Sequence, residues 1–166
     1  MKRRTYLAAG AATLATAGAL VAHRFGATPA PAVEYVLLDG SRHHSRDWAG
    51  QVVLVNFWAT TCAICLAEMP RLVALHQRLA PRGLRTLAVS VAYDPPAQVM
   101  TYAERKALPF GVAIDNTGAI ERAFGGVPGT PTSFVVDRRG RIARRFTGEP
   151  DFAVLGRLLE DLLAQA

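Results

Sequence analysis

The run Gln51-Val52-Val53-Leu54-Val55-Asn56-Phe57-Trp58 is apolar and rich in β-branched residues, and three residues separate it from Cys62-Ala63-Ile64-Cys65. A continuous apolar run of this length suits a strand covered on both faces, as in a parallel sheet. The segment from Cys62 to Leu79 then places apolar side chains at Leu66, Met69, Leu72, Val73, Leu75 and Leu79, which is helical spacing. Pro70 interrupts that helix and predicts a kink. Pro81 and Gly83 end it. Strand, cysteine pair, helix is an α/β arrangement, and it constrains the rest of the chain more than any other feature.

The pattern repeats downstream. Leu84 to Val91 reads as a strand, and Pro95-Pro96 opens a helix through about Ala107, since proline is tolerated in a first helical turn. Phe110 to Ile114 is a short strand and Thr117 to Phe124 a short helix. Thr132 to Val136 and Arg141 to Phe146 form a hairpin around the turn 137–140. Asp151 N-caps a final helix through Leu163. Upstream, Tyr35 to Leu38 is a strand ending in the turn Asp39-Gly40, and 41–50 is polar with Trp48 as an anchor. The sum is a three-layer α/β domain with a mixed sheet.

Cys62 and Cys65 are the only cysteines, so they belong to no disulfide framework. In open α/β sheets reactive groups gather at the carboxyl ends of strands. Cys62 would sit there and also start a helix, where free N–H groups and the helix dipole favour an anion. A cysteine pKa near 8.5 falls to roughly 3.5–7.5 in such a place. Cys62 is therefore expected to be the attacking thiolate and Cys65 the buried resolving thiol. Ala63-Ile64 supplies neither a histidine to stabilise the thiolate nor a proline to stiffen the turn, so a reducing pair is expected, not a strong oxidant. A zinc site needs four ligands, and His43, His44 and His76 do not form a matching pair. The alternative from another class is a metallochaperone-like module holding Cu(I) on the two thiolates. No cofactor is expected, because the cysteines carry the electrons.

The net charge of +6 is unevenly placed. Residues 1–30 hold Lys2, Arg3, Arg4 and Arg24 and no acid, which leaves 15 basic against 13 acidic residues in the remainder. That balance gives no large steering field and no nucleic-acid partner. The cluster Arg138, Arg139, Arg141, Arg144 and Arg145 reads as a turn and the solvated face of an edge strand. The first 32 residues are read as an export signal or membrane anchor plus linker, and 33–166 as the folded domain. Lys2-Arg3-Arg4 precedes an uncharged stretch at residues 5–22, which is export logic. Both a cleaved signal, with small-x-small sites at Thr28-Pro29-Ala30 or Ala30-Pro31-Ala32, and an uncleaved inner-membrane anchor stay open. Either places the domain outside the cytoplasm, in the periplasm.

Val53 to Cys65, then Glu68-Met69-Pro70, then Gly129-Thr130-Pro131-Thr132-Ser133-Phe134 resemble the TlpA-like (ResA/CcmG-type) thiol–disulfide oxidoreductases of bacterial envelopes. The resemblance covers about residues 33–166 and implies a thioredoxin-like fold. It implies that Pro131 is a cis proline beside the disulfide, with Thr130 and Trp58 in the substrate-binding region. An ordinary turn proline is the alternative. It also implies protein substrates with disulfides in the envelope, of the apo-cytochrome c or copper-site type. The implied electron donor is a membrane dithiol, and the expected assembly is a monomer. Glu68 reads either as a tuner of the cysteine pair or as a surface helix residue. Asp94 reads either as a substitute for a glutamate that some relatives place in the loop after the equivalent strand, or as a helix N-cap. This chain departs from the pattern at Thr61, where the family often has tryptophan. It departs again at Ala63-Ile64, where a proline is common, and Asn56 stands where cytoplasmic thioredoxins carry an aspartate.

Overall fold

The computed structural model describes residues 28–165. The export stretch read at residues 5–22 lies outside the described residues. Among those described, no helix is long and apolar enough to cross a membrane. In chain order the elements are β1 (Glu34–Val36), β2 (Arg42–His44), β3 (Val52–Trp58), α1 (Ala63–Leu79), β4 (Leu84–Ser90), α2 (Pro96–Arg105), β5 (Gly111–Ile114), α3 (Ala119–Ala123), β6 (Thr132–Val136), β7 (Ile142–Thr147) and α4 (Phe152–Ala164). Five strands form one mixed sheet in the order β5-β4-β3-β6-β7. β3 runs parallel to β4 and antiparallel to β6, and β5 is parallel to β4.

All seven residues of β3 are buried, because the sheet is covered on both faces. Val52, Leu54 and Trp58 face α1, α2 and α4, packing with Met69, Leu72, Val99, Leu155 and Leu159. Val53, Val55 and Phe57 face the other layer, which holds Tyr35, Trp48, Ile120 and Phe124. Phe57, Phe124 and Phe134 pack there with ring centroids 4.8–5.9 Å apart. This is the expected thioredoxin-like three-layer α/β architecture with a mixed central sheet.

Two sequence readings change. The polar stretch 41–50 contains β2 and a 3-10 helix at Ser45–Trp48. Its start is held by reciprocal capping: His44 Nδ1 accepts from the Arg46 N–H, and the Asp47 carboxylate accepts from the His44 N–H. The helix α1 continues through Pro70 to Leu79. The boundary drawn at residue 33 falls inside packed structure. The Ile142 N–H donates to the Thr28 carbonyl, the Ala30 N–H to the Gly140 carbonyl, and Ser45 Oγ to the Pro31 carbonyl. Both small-x-small sites read from the sequence therefore lie in hydrogen-bonded backbone.

The arginine cluster is partly structural. Arg138 donates to the carbonyls of Gly50 and Leu163, the latter in the last turn of α4. Arg145 lies over the Phe134 ring and donates to the Gly126 carbonyl. Arg139, Arg141 and Arg144 stay exposed along the β7 edge.

Candidate active site

β3 ends at Trp58, and after three intervening residues the chain turns into α1 with Cys62 as the N-cap residue. Cys62 and Cys65 are joined by a disulfide, with Cα atoms 5.2 Å apart. The Cys65 N–H points at Cys62 Sγ from 3.1 Å. That is the geometry in which free helix-start donors stabilise a sulfur anion. The two sulfurs are not equivalent. Cys62 is partly exposed, while Cys65 is fully buried against the α1 side of the core.

The loop before β6 closes the other side. The Thr130–Pro131 bond is cis, and the Thr130 carbonyl oxygen lies 3.5 Å from Cys62 Sγ. Tyr93, in the loop after β4, arches across to bring its hydroxyl to 3.3 Å from Thr130 Oγ1. Tyr93 is 66% exposed and Ile64 53% exposed, among the most exposed large apolar residues described. They form an apolar rim around a partly exposed sulfur. Sequence reasoning gave Tyr93 no role; its signal was an aromatic residue in the loop between a strand end and Pro95-Pro96.

Trp58 is not on that rim. Its side chain is fully buried and packs on Tyr102 with ring centroids 5.3 Å apart. The substrate-contact expectation for Trp58 is thus corrected: the even-numbered face of β3 points it under the cysteine loop. Thr61 is exposed.

The N-cap reading of Asp94 does not hold. The N-cap of α2 is Pro95, with no side-chain capping bond. Asp94 is 2% exposed, and its carboxylate accepts from the Thr60 N–H at 2.7 Å, the Thr60 hydroxyl at 2.5 Å and the Ser90 hydroxyl at 3.2 Å. It fastens the β4–α2 loop to the segment just before Cys62.

Glu68 is not a surface residue. It is 1% exposed, on the stripe of α1 that also buries Cys65 and Leu72. Glu68 Oε1 accepts from Asn56 Nδ2 at 3.1 Å, and the same nitrogen donates to Ser133 Oγ at 3.0 Å. Burial pushes the Glu68 carboxyl up to about 7, against the pull of the Asn56 hydrogen bond; Glu149 raises it further and Arg71 lowers it.

The three histidines among the described residues are engaged elsewhere. His43 stacks on Tyr35 and pairs with Ser41, while His44 caps its 3-10 helix. His76 sits against Phe110, its ring held by Thr86 Oγ1 at 3.0 Å, and burial lowers its pKa.

A helix-capping disulfide with one reachable sulfur, set beside a cis proline on this sheet, defines a thiol–disulfide oxidoreductase of thioredoxin-like fold. Residues 26–159 match the Redoxin family, and the chain belongs to it. It is 36% identical over 119 residues to the thiol-disulfide oxidoreductase ResA of Geobacillus thermodenitrificans, covering 70% of this chain and 67% of that one. It is 34% identical over 133 residues to ResA of Geobacillus kaustophilus, covering 79% and 75%. The crystal structure of a thioredoxin-family thiol:disulfide interchange protein from Chlorobium tepidum superposes with a TM-score of 0.75 at 31% identity, covering 83% of this chain and 97% of that one. A secreted thiol-disulfide isomerase from Corynebacterium glutamicum gives a TM-score of 0.73 at 25% identity, covering 81% and 85%. The resemblance read from the sequence motifs is borne out.

Proposed function

We propose that this oxidoreductase works as a reductase of protein disulfides in the bacterial envelope, held at the inner membrane by residues 5–22 and acting as a monomer. The observation that carries this reading is the asymmetry of the sulfurs: Cys62 is reachable at the start of α1, and Cys65 is buried beneath it. The reduced pair begins the cycle. The Cys62 thiolate attacks one sulfur of a client disulfide and expels the other as a thiolate, giving a mixed disulfide. Cys65 then loses its proton to Glu68, attacks Cys62 Sγ and expels the second client thiolate. The client gains two electrons, and Cys62–Cys65 closes as the disulfide seen here. A membrane dithiol returns the two electrons and itself becomes a disulfide.

The rim suits an extended client segment. Pro131 has no N–H, so the backbone at Thr130 is free to pair with a strand laid across Cys62. Tyr93 and Ile64 offer apolar contact beside it. The fitting clients are cysteine pairs of apo-cytochrome c or of copper sites, as the ResA/CcmG-type resemblance implies. With Ala63-Ile64 between the cysteines, the potential falls toward the thioredoxin end of the scale, near −270 mV, and away from the DsbA end near −120 mV.

The test is Cys65→Ser, which retains the attacking sulfur and removes the one that resolves. A covalent complex with an envelope protein, reversed by dithiothreitol and absent in Cys62→Ser, is the expected result. Alkylation of the reduced protein against pH provides the opposing outcome: two sulfurs that both titrate near 8.5 would end the reading.

A further inference from the structure

Three buried polar side chains stack in one column beneath the disulfide, and their hydrogen bonds do not close. Asn56 and Ser133 are directly opposed across the β3–β6 ladder, and both point to the α1 face, where Glu68 descends from the helix. All three are 1% exposed. The Asn56 amide nitrogen spends both hydrogens, one on Glu68 Oε1 and one on Ser133 Oγ. Asn56 Oδ1 and Glu68 Oε2 are left without partners. Two unpartnered acceptors in a core are costly. A proton on Glu68 Oε2 turns one of them into a donor, and Asn56 Oδ1 is the acceptor left over on the same amide.

We propose that Asn56, held in orientation by Ser133, is a positioning residue that allows Glu68 to gain and lose a proton inside the core: the amide N–H serves the carboxylate, and the amide oxygen serves the acid, directly or through one water. This deepens the reading of Glu68 as the proton acceptor of Cys65. An amide is suited to the task because it carries a donor and an acceptor on one planar group. An aspartate at 56 would set a second carboxylate against Glu68, and the two would titrate as a pair. A leucine would offer neither partner. The serine hydroxyl, which can accept or donate, holds the amide without forcing one orientation. The charges facing Glu68 from its surroundings are Arg71 on α1 and Glu149 after β7, which pair with each other at 2.8 Å on the surface. Asp151, at the start of α4, also faces Arg71. β3 and β6 contribute only Asn56 and Ser133 to the column. No neighbour therefore duplicates the amide.

The experiment is a carbon-13 NMR titration of the Glu68 carboxyl in the full chain, with the pH profile of client release measured alongside. Asn56→Leu should raise the Glu68 midpoint by more than one pH unit, a change of over tenfold in its acid constant. Ser133→Ala should move it the same way by about threefold, and Ser133→Thr, which keeps the hydroxyl, should restore it. Asn56→Asp should split the titration into two coupled steps, and it carries the test if the leucine variant does not fold. A Glu68 midpoint unchanged in both folded Asn56 variants overturns the proposal. A midpoint that shifts while Glu68→Gln leaves the client-release profile untouched supports the positioning role and removes only the proton-acceptor reading.

Discussion

Two buried carboxylates flank the cysteine loop, and their surroundings are opposite. Asp94 is met by three donors, from Thr60 and Ser90. Glu68 is met by one amide hydrogen at 3.1 Å, and its second oxygen is bare. Burial is equally complete at both, so depth does not distinguish them. The count of donors does: a well-supplied carboxylate becomes a fixed fastener, and a poorly supplied one becomes a group for which the proton is a competitive partner. The molecule uses the first to hold the backbone before Cys62 and sets the second one turn along α1 from Cys65.

The contrast can be broken most decisively at Asp94. Asp94→Ala strands the Thr60 N–H and two hydroxyls, and urea unfolding should show a loss of about 4 kcal/mol. Disulfide turnover should fall with it, because the loop carrying Cys62 loses its tie to β4. A loss below about 1 kcal/mol would mean that the donors find water and that Asp94 is no fastener.

Glu68 should reveal itself through pH. Its carboxyl is raised from 4.5 to about 7 on folding, so the folded state holds the proton more tightly than the unfolded chain. That contribution is complete below the unfolded pKa and is lost as pH climbs through about 7. The oxidised protein should therefore lose about 3 kcal/mol between pH 4 and pH 8 from this group alone. Denaturation curves at several pH values check it, and Glu68→Gln should flatten the slope. A wild-type slope no steeper than that of the glutamine variant would erase the difference between the two acids.

The smallest effect concerns the far end of the sheet. A chain starting at Val33 lacks the backbone bonds of residues 28–31 to the β6–β7 turn and to Ser45. It should be about 2 kcal/mol less stable than one starting at Thr28, with an unaltered Glu68 titration. A truncation that moved that titration would show that the two ends are coupled.

Most of the architecture was legible because it is written in apolar periodicity. The all-buried β3, the spacing of α1 and the Asp137–Gly140 turn are strong local signals. β2 was not legible, since Arg42-His43-His44 has no strand-like alternation and depends on pairing with β1. The stretch 28–30 is Thr-Pro-Ala and pairs through its backbone with residues 140–142, which leaves no trace in side-chain chemistry. At the site, the cysteines were readable from spacing, and Pro131 from the family resemblance. Asp94 was not, because two of its three donors sit 34 residues away at Thr60. Glu68 carried a usable signal: it stands three residues after Cys65 and four before Leu72, on the stripe that the helix buries.

The alternation along β3 has a consequence for how this chain can change. Asn56 looks toward the redox helix while Val55 and Phe57 look toward the aromatic layer. Inserting or deleting one residue before Asn56 would turn the amide into a nest of rings and set a hydrocarbon under the acid. Substitutions can be absorbed one at a time, but the length of this strand is frozen by the electron-transfer chemistry at its end.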